Sequence, residues 1–211
     1  MEKNIDSGLM RYIQENIIPM YDHFDSGHRR DHAQMVIDGC LKMAARYNAD
    51  ASMLYAAAAY HDTGLRAGRG THHLESGRII RNDTTLRQWF TEEQIETIAC
   101  AAEDHRASSG KMPRSIYGMI VAEADRTIDP SVIIRRTIQY GLAHYPELDR
   151  EAHWNRTLEH LNEKYAEGGY LKLLLNDSPN TDGLMELRSI IRDRERLRTL
   201  FDKFWQEYSS K

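Results

Sequence analysis

A chain of 211 residues with 41% apolar and 28% charged side chains has the size and balance of one globular domain, or of a domain with an extension, rather than of a disordered segment. Its formal net charge of −4 offers no general attraction for nucleic acid or anionic lipid, so neither an extended nucleic acid nor a membrane is expected as a partner. Two cysteines, Cys40 and Cys100, are too few for a disulfide framework or a thiolate metal site, and both are expected to be buried core thiols.

Met35, Val36, Cys40, Met43, Ala44 and Tyr47 recur at three- and four-residue steps and predict an amphipathic helix. Asp50 is placed to cap a second helix that runs through the alanines 56–59 to His61 and Asp62, with Thr63-Gly64 at its end. The near-apolar run from Ala51 to Tyr60 within it is far shorter than the ~20 residues of a membrane helix. The start MEKNIDSGLM carries acids where a secretory signal has an apolar stretch, so the expected location is the cytoplasm. The loop GLRAGRG (64–70) leads to a short helix over about 72–80. Thr91 and Gln94 form a capping-box signature for a helix through Ile95, Ile98, Ala99 and Ala102 toward His105. Ile116, Ile120 and Val121 predict a helix leading to Asp125, and Asp129-Pro130 opens another that stops before Pro146. The pattern from His153 to Tyr165 is helical and ends at Gly168-Gly169; after the loop 176–183, one long charged helix is expected from Leu184 to Tyr208. No strand alternation and no repeat is evident. The expected fold is all-α, with a core over 1–128 that holds the unusual polar residues and a helical extension over 129–211 packed on it. The charged tail helix leaves room for a homodimer.

The chemistry-bearing residues lie in the first part. His28 and His32 are four apart and would share a helix face. His61-Asp62 follows an apolar helix, His72-His73 is a second adjacent pair, His105 ends the capped helix, and Asp125 follows GMIVAEA. Each has an ordinary alternative: a surface histidine, a chance dipeptide, an ion pair between Asp125 and Arg126. Their order along the chain, each near a helix end where the helices of a bundle converge, is what points to a metal centre. Imidazole and carboxylate together suit borderline or hard divalent ions.

In this arrangement the sequence resembles the HD-domain superfamily of metal-dependent phosphohydrolases, whose hallmark is H…HD…D on a helical bundle. The pattern reads here as His32 in HRRDHAQMV, His61-Asp62 in AAAAYHDTG and Asp125 in VAEADRTID. The resemblance implies a first ion held by His32, His61, Asp62 and Asp125. It also implies a second ion held by His72 and His105 with Asp62 as the bridge, His73 being the register alternative to His72. One or two divalent ions are thus the expected cofactors, with manganese, iron, cobalt, nickel, zinc and magnesium not distinguished. Asp62 and His61 would then be at the catalytic centre, and His28 could supply a proton to the leaving group or stand as a half-buried residue at a helix start. His144, His153 and His160 are assigned ordinary structural or surface roles.

A phosphate substrate needs positive charge, and Arg66, Arg69, Lys111 and Arg114 flank the candidate ligands in two loops. Solvated loop charges are the alternative. The loop GLRAGRG lacks the Gly-Lys-Ser/Thr ending of a P-loop, the chain has no HExxH, and no Glu is followed by His at the third position after it, which sets aside zincins and di-iron bundles. The acidic pair that follows the HD in guanosine-polyphosphate hydrolases is missing, since Thr63-Gly64-Leu65-Arg66 stands there, and so is the GYP segment of cyclic-dinucleotide phosphodiesterases. The function the resemblance implies is hydrolysis of a phosphomonoester, phosphodiester or phosphoanhydride of a small phosphorylated compound, a nucleotide foremost, by metal-activated water. The alternative is a non-catalytic HD module for signalling or ligand binding.

Overall fold

Side chains from eight consecutive residues, Met53 to Tyr60, are all buried, so the helix that carries them is enclosed on every side. This helix organises the first of two compact units, Met1–Arg126 and Thr127–Lys211. The computed structural model describes residues 5–24, 28–106 and 111–209. Parts of MEKNIDSGLM and of AAEDHRASSG therefore lie outside the described residues.

Among the described residues the fold is all-α. The first unit begins with α1 (Ser7–Asn16), capped by Asp6, and a 3-10 turn over Ile18–His23. It continues with α2 (Arg30–Ala44), the enclosed α3 (Ala51–Tyr60), a 3-10 turn over Thr63–Ala67, and α4 (His72–Asn82). A further 3-10 turn over Thr84–Gln88, α5 (Glu92–Asp104) and α6 (Ile116–Asp125) complete it. α2, α5 and α6 pack around α3, and the run Ala56–Ala59, each residue 0% exposed, lets them approach its backbone. Gly39 of α2 lies against Ala124 of α6, where an added Cβ would sit 3.0 Å from the alanine methyl. That close approach brings α2 against the end of α6 that carries Asp125.

The caps are largely those the sequence announces. Asp50 Oδ1 accepts from Ser52 N and Met53 N, Thr91 and Gln94 form the reciprocal capping box, and Asp129 caps a helix with Pro130 in its first turn. The second unit holds that helix, α7 (Pro130–His144), with α8 (Arg150–Tyr165), α9 (Thr181–Arg192) and α10 (Arg194–Ser209) around a core that includes Ile134, Ile138, Leu161, Leu187 and Phe201. The single long helix expected over 184–208 is two helices. Asp193 leaves helical geometry at ψ 92, its carboxylate accepts from Arg196 N at 3.0 Å, and its carbonyl starts the next ladder at Leu197 N. An N-cap has replaced a turn of helix. Cys40 is fully buried as expected, but Cys100 is half-buried and donates to Glu96 Oε1 at 3.3 Å, so it edges the core rather than filling it. No helix among the described residues is long and apolar enough to cross a membrane.

Candidate metal centre

Asp62 sits two residues beyond the end of α3, and its two carboxylate oxygens face different partners. Oδ2 lies 3.3 Å from His61 Nε2 and 3.6 Å from His32 Nε2. Oδ1 lies 3.4 Å from His72 Nε2 and 3.5 Å from His105 Nε2. Within each pair the two Nε2 atoms face one another, at 3.2 Å for His32 and His61 and at 3.2 Å for His72 and His105. Asp125 closes the first group, with Oδ1 3.2 Å from His32 and 3.7 Å from His61. Ligands about 2.1 Å from one ion stand about 3.0 Å apart at right angles and about 3.4 Å apart at the tetrahedral angle, and these separations are close to those values. The described residues supply two such donor groups, His32, His61, Asp62 and then Asp62, His72, His105, and the carboxylate they share is the one side chain able to bridge.

The backbone commits the other ring nitrogens. Nδ1 of His61 lies 2.7 Å from Ala58 O, that of His72 2.9 Å from Arg69 O, and that of His105 2.5 Å from Ala102 O. A carbonyl only accepts, so each Nδ1 carries the proton and each Nε2 lone pair is turned into the centre. In the His72–His105 pair, where both Nδ1 atoms are so committed, two lone pairs face each other at 3.2 Å, a contact that a proton or a metal ion between them relieves. Burial opposes charge on His32, but Asp125 and Asp62 beside it prevail and raise its pKa to about 9. His105, likewise penalised by burial, is raised by its contact with Asp62. Burial lowers His72. Burial would raise Asp62 and Asp125, yet the surrounding imidazoles hold both below their usual range, Asp62 far below it. The donor set, two carboxylates and four imidazoles without a thiolate, suits borderline or hard divalent ions.

The sequence of residues 29–128 matches the family model of the HD domain, and both the H…HD…D residues and the bundle that carries them are in place. Residues 29–128 form an HD domain. Among solved structures, a predicted HD superfamily hydrolase from an uncultured Thermotogales bacterium is 22% identical, with a TM-score of 0.50 over 72% of this chain and 87% of that one. A protein from Lactobacillus plantarum is 21% identical, with a TM-score of 0.58 over 99% of this chain and 100% of that one. At these identities the likeness is one of fold. None of the curated proteins matches the chain.

Within the HD domain the six expected ligand positions meet, and of the two register choices it is His72 that enters the cluster. His73 faces elsewhere, its Nδ1 buried without a hydrogen-bond partner among the described residues. His61, Asp62 and His105 form the floor, at 0%, 4% and 4% side-chain exposure, while His32, His72 and Asp125 are more open and mark the side facing solvent. His28 does not share a helix with His32, because α2 starts at Arg30, but its ring still stands edge-on to His32 at 5.6 Å. Arg69 reaches the same edge, with Nη2 3.4 Å from His28 Nδ1. Arg66 is exposed beside Glu75, and Lys111 is exposed at the start of the segment before α6. Arg114 points the other way: it is tied to Asp104, to Glu103 Oε2 at 2.6 Å and to Cys100 O.

Three contributors carried no motif. Arg106, next to His105, donates to Gly70 O and so holds the loop that bears Arg69 against the end of α5. Gly64, which the sequence suggests as a helix stop, has no positive φ. It is small because an added Cβ would run into His72 O and lie 2.6 Å from Ser76 N. Its N–H donates to Ser76 Oγ at 3.0 Å. Tyr21, far from the HD pair in sequence, places its hydroxyl against the peptide of Asp62.

Proposed function

We propose that the protein is a metal-dependent phosphohydrolase that cleaves a phosphoester or phosphoanhydride bond of a small phosphorylated compound, with a nucleotide as the leading candidate. The observation that carries this reading is the shared carboxylate: Asp62 offers one oxygen to each of two histidine pairs, and in His61, His72 and His105 a backbone carbonyl accepts the Nδ1–H and leaves Nε2 facing the centre. The name of the Thermotogales structure, a predicted HD superfamily hydrolase, supports the same class.

His32, His61, Asp62 and Asp125 would hold one divalent ion, and Asp62, His72 and His105 a second. When bound, such ions supply an acidified water and polarise a phosphoryl oxygen. The chain itself does the rest. Asp62 fixes the spacing of the two sites, and the buried floor of His61 and His105 excludes bulk water from one side. His28 and Arg69 stand over the open edge, where Arg69 can grip phosphate oxygens with a planar fork and His28 can pass a proton to the leaving oxygen.

The test is elemental analysis of the purified protein together with turnover of nucleoside mono-, di- and triphosphates and simple phosphoesters. One or two divalent ions per chain, and phosphate release lost with the metal in Asp62→Ala, are expected. Full metal occupancy in that variant would overturn the assignment, and occupied sites without turnover of any phosphate compound would make the domain a binding module.

A further inference from the structure

The 3-10 turn Ile18–His23 lies ahead of the residues that match the HD family model, yet it delivers one side chain to the metal-bearing turn. Tyr21 is fully buried, and its hydroxyl touches two backbone groups that flank His61: it donates to Ala59 O at 2.9 Å and accepts from Asp62 N at 3.3 Å. We infer that Tyr21 is a positioning residue whose hydroxyl sets the peptide carrying His61 and Asp62, and with it the aim of the bridging carboxylate. This inference rests on the two-ion reading of the site.

The argument begins with the end of α3. A helix leaves its last carbonyls without intrahelical donors, and here three successive ones are taken by side chains. Ala58 O accepts from His61 Nδ1, Ala59 O from Tyr21, and Tyr60 O from Thr63 Oγ1 at 2.8 Å. Two of these donors are local, three residues on. Tyr21 is the exception, separated from Asp62 by 41 positions, so it is the only one of the three that ties the turn to another element. It is also the one that holds a carbonyl and an N–H together. The ring is fixed in turn by Phe24, edge-on at 5.4 Å, and it lies 6.3 Å from the His61 ring.

Asp62 must serve both pairs at 3.3–3.6 Å. A site of this kind works only within about 0.5 Å and 10–20° of its productive geometry. A carboxylate oxygen lies about 3.5 Å from its own Cα, so a 10° turn of the backbone moves it by roughly that whole tolerance. Removing the hydroxyl frees that rotation while leaving the ring to fill its place.

Tyr21→Phe is therefore compared with Phe24→Leu, which loosens the ring but keeps the hydroxyl. Metal-free protein is titrated with Co2+ by calorimetry, the visible absorption of the cobalt form is recorded, and thermal unfolding is measured for each. Tyr21→Phe should keep its helical signal, weaken binding of at least one ion about tenfold or more and alter the cobalt spectrum. Phe24→Leu should lower the melting temperature with parental affinities and spectrum. Parental affinities and spectrum in Tyr21→Phe would overturn the inference while leaving the metal reading intact. Equal losses of affinity in both variants, or a Tyr21→Phe chain that does not fold, would make Tyr21 a packing residue and overturn it too. A parent that binds no metal would overturn the two-ion reading itself, and the inference with it.

Discussion

Gly64 is where the two halves of the centre are most easily separated. It joins the turn after Asp62 to the first turn of α4, which carries His72. A Cβ there would lie 2.6 Å from Ser76 N and 2.8 Å from Glu75 Cβ, and closer still to His72 O, whereas ordinary contact begins at 3.4 Å. All three obstacles belong to α4, and two are backbone, so no side-chain swing relieves them. Gly64→Ala must push the start of α4 back by about 1 Å, stretch the 3.0 Å bond from Gly64 N to Ser76 Oγ, and carry His72 away from Asp62 and His105. Overpacking of this kind costs about 1–3 kcal/mol, and a weakened buried hydrogen bond adds about 1 kcal/mol, so the apo protein should lose about 2–4 kcal/mol in urea unfolding. A 1 Å misplacement of a catalytic group costs about a hundredfold, and the second ion should weaken by a similar factor. The first ion, held by α2, α3 and α6, should bind as in the parent. Calorimetric titration with Mn2+ or Co2+ reads both affinities. Gly70→Ala is the control, because a Cβ at Gly70 meets nothing within 4 Å. Two ions bound by Gly64→Ala with parental affinities would refute the argument that this glycine sets the distance between the sites.

The register of the second site is tested by single substitutions: His72→Ala should lower occupancy by about one ion, and His73→Ala should leave it unchanged, as measured by elemental analysis. Arg69→Ala should lower kcat/KM by about ten- to a hundredfold without releasing metal, the loss of a charge-assisted hydrogen bond. Arg114→Ala, whose guanidinium already serves Asp104 and Glu103, should lower the melting temperature more than the turnover, and steady-state kinetics with parallel thermal scans separate the two. Metal uptake should release protons. His32 rises from 6.5 to about 9 in the metal-free fold, so its stabilising contact with Asp125 and Asp62 is fully present below about 6.5 and is lost as pH climbs through about 9. A metal ion replaces that proton: calorimetry in two buffers near pH 7.5 should show about one proton released by His32, and apparent affinity should rise with pH up to about 9. No proton release at that pH would mean that His32 is neutral before the metal arrives.

Whether a feature could be read from the sequence followed how far apart along the chain its parts lie. The HD pair, Asp125 and His105 were legible because each stands at or just past the C-terminal end of a helix whose course the sequence marks: Asp50 caps the alanine-rich helix that reaches His61 and Asp62, the capping box opens the helix to His105, and an apolar stretch leads to Asp125. Their orientation is local as well. His61, His72 and His105 each direct Nδ1 to the carbonyl three residues back, so a single turn of chain sets the tautomer that a metal ligand needs. Asp193 shows where local signals fail. In RDRER its side chain competes with a strong run of helix formers, and the outcome was decided by a cap to Arg196 N that no periodicity announces. The four-residue spacing of His28 and His32 suggested one helix face, but the helix starts between them, and the two rings meet across its first residues instead. Cys100 repeated the apolar stripe of its helix yet sits at its edge, beside Glu96.

What could not be read is what joins one element to another. Gly64 looked like a helix stop and proved to be a clearance of one methyl group between a turn and α4. Tyr21 had no pattern at all, since its value lies in a contact across 41 positions. A ligand set can thus be inherited as short motifs, each correct within a turn or two of helix. The distance between the two donor groups rests on such long-range contacts, and on the proposed two-ion reading substitutions at Gly64 and Tyr21 should change metal stoichiometry and affinity while every motif residue stays in place.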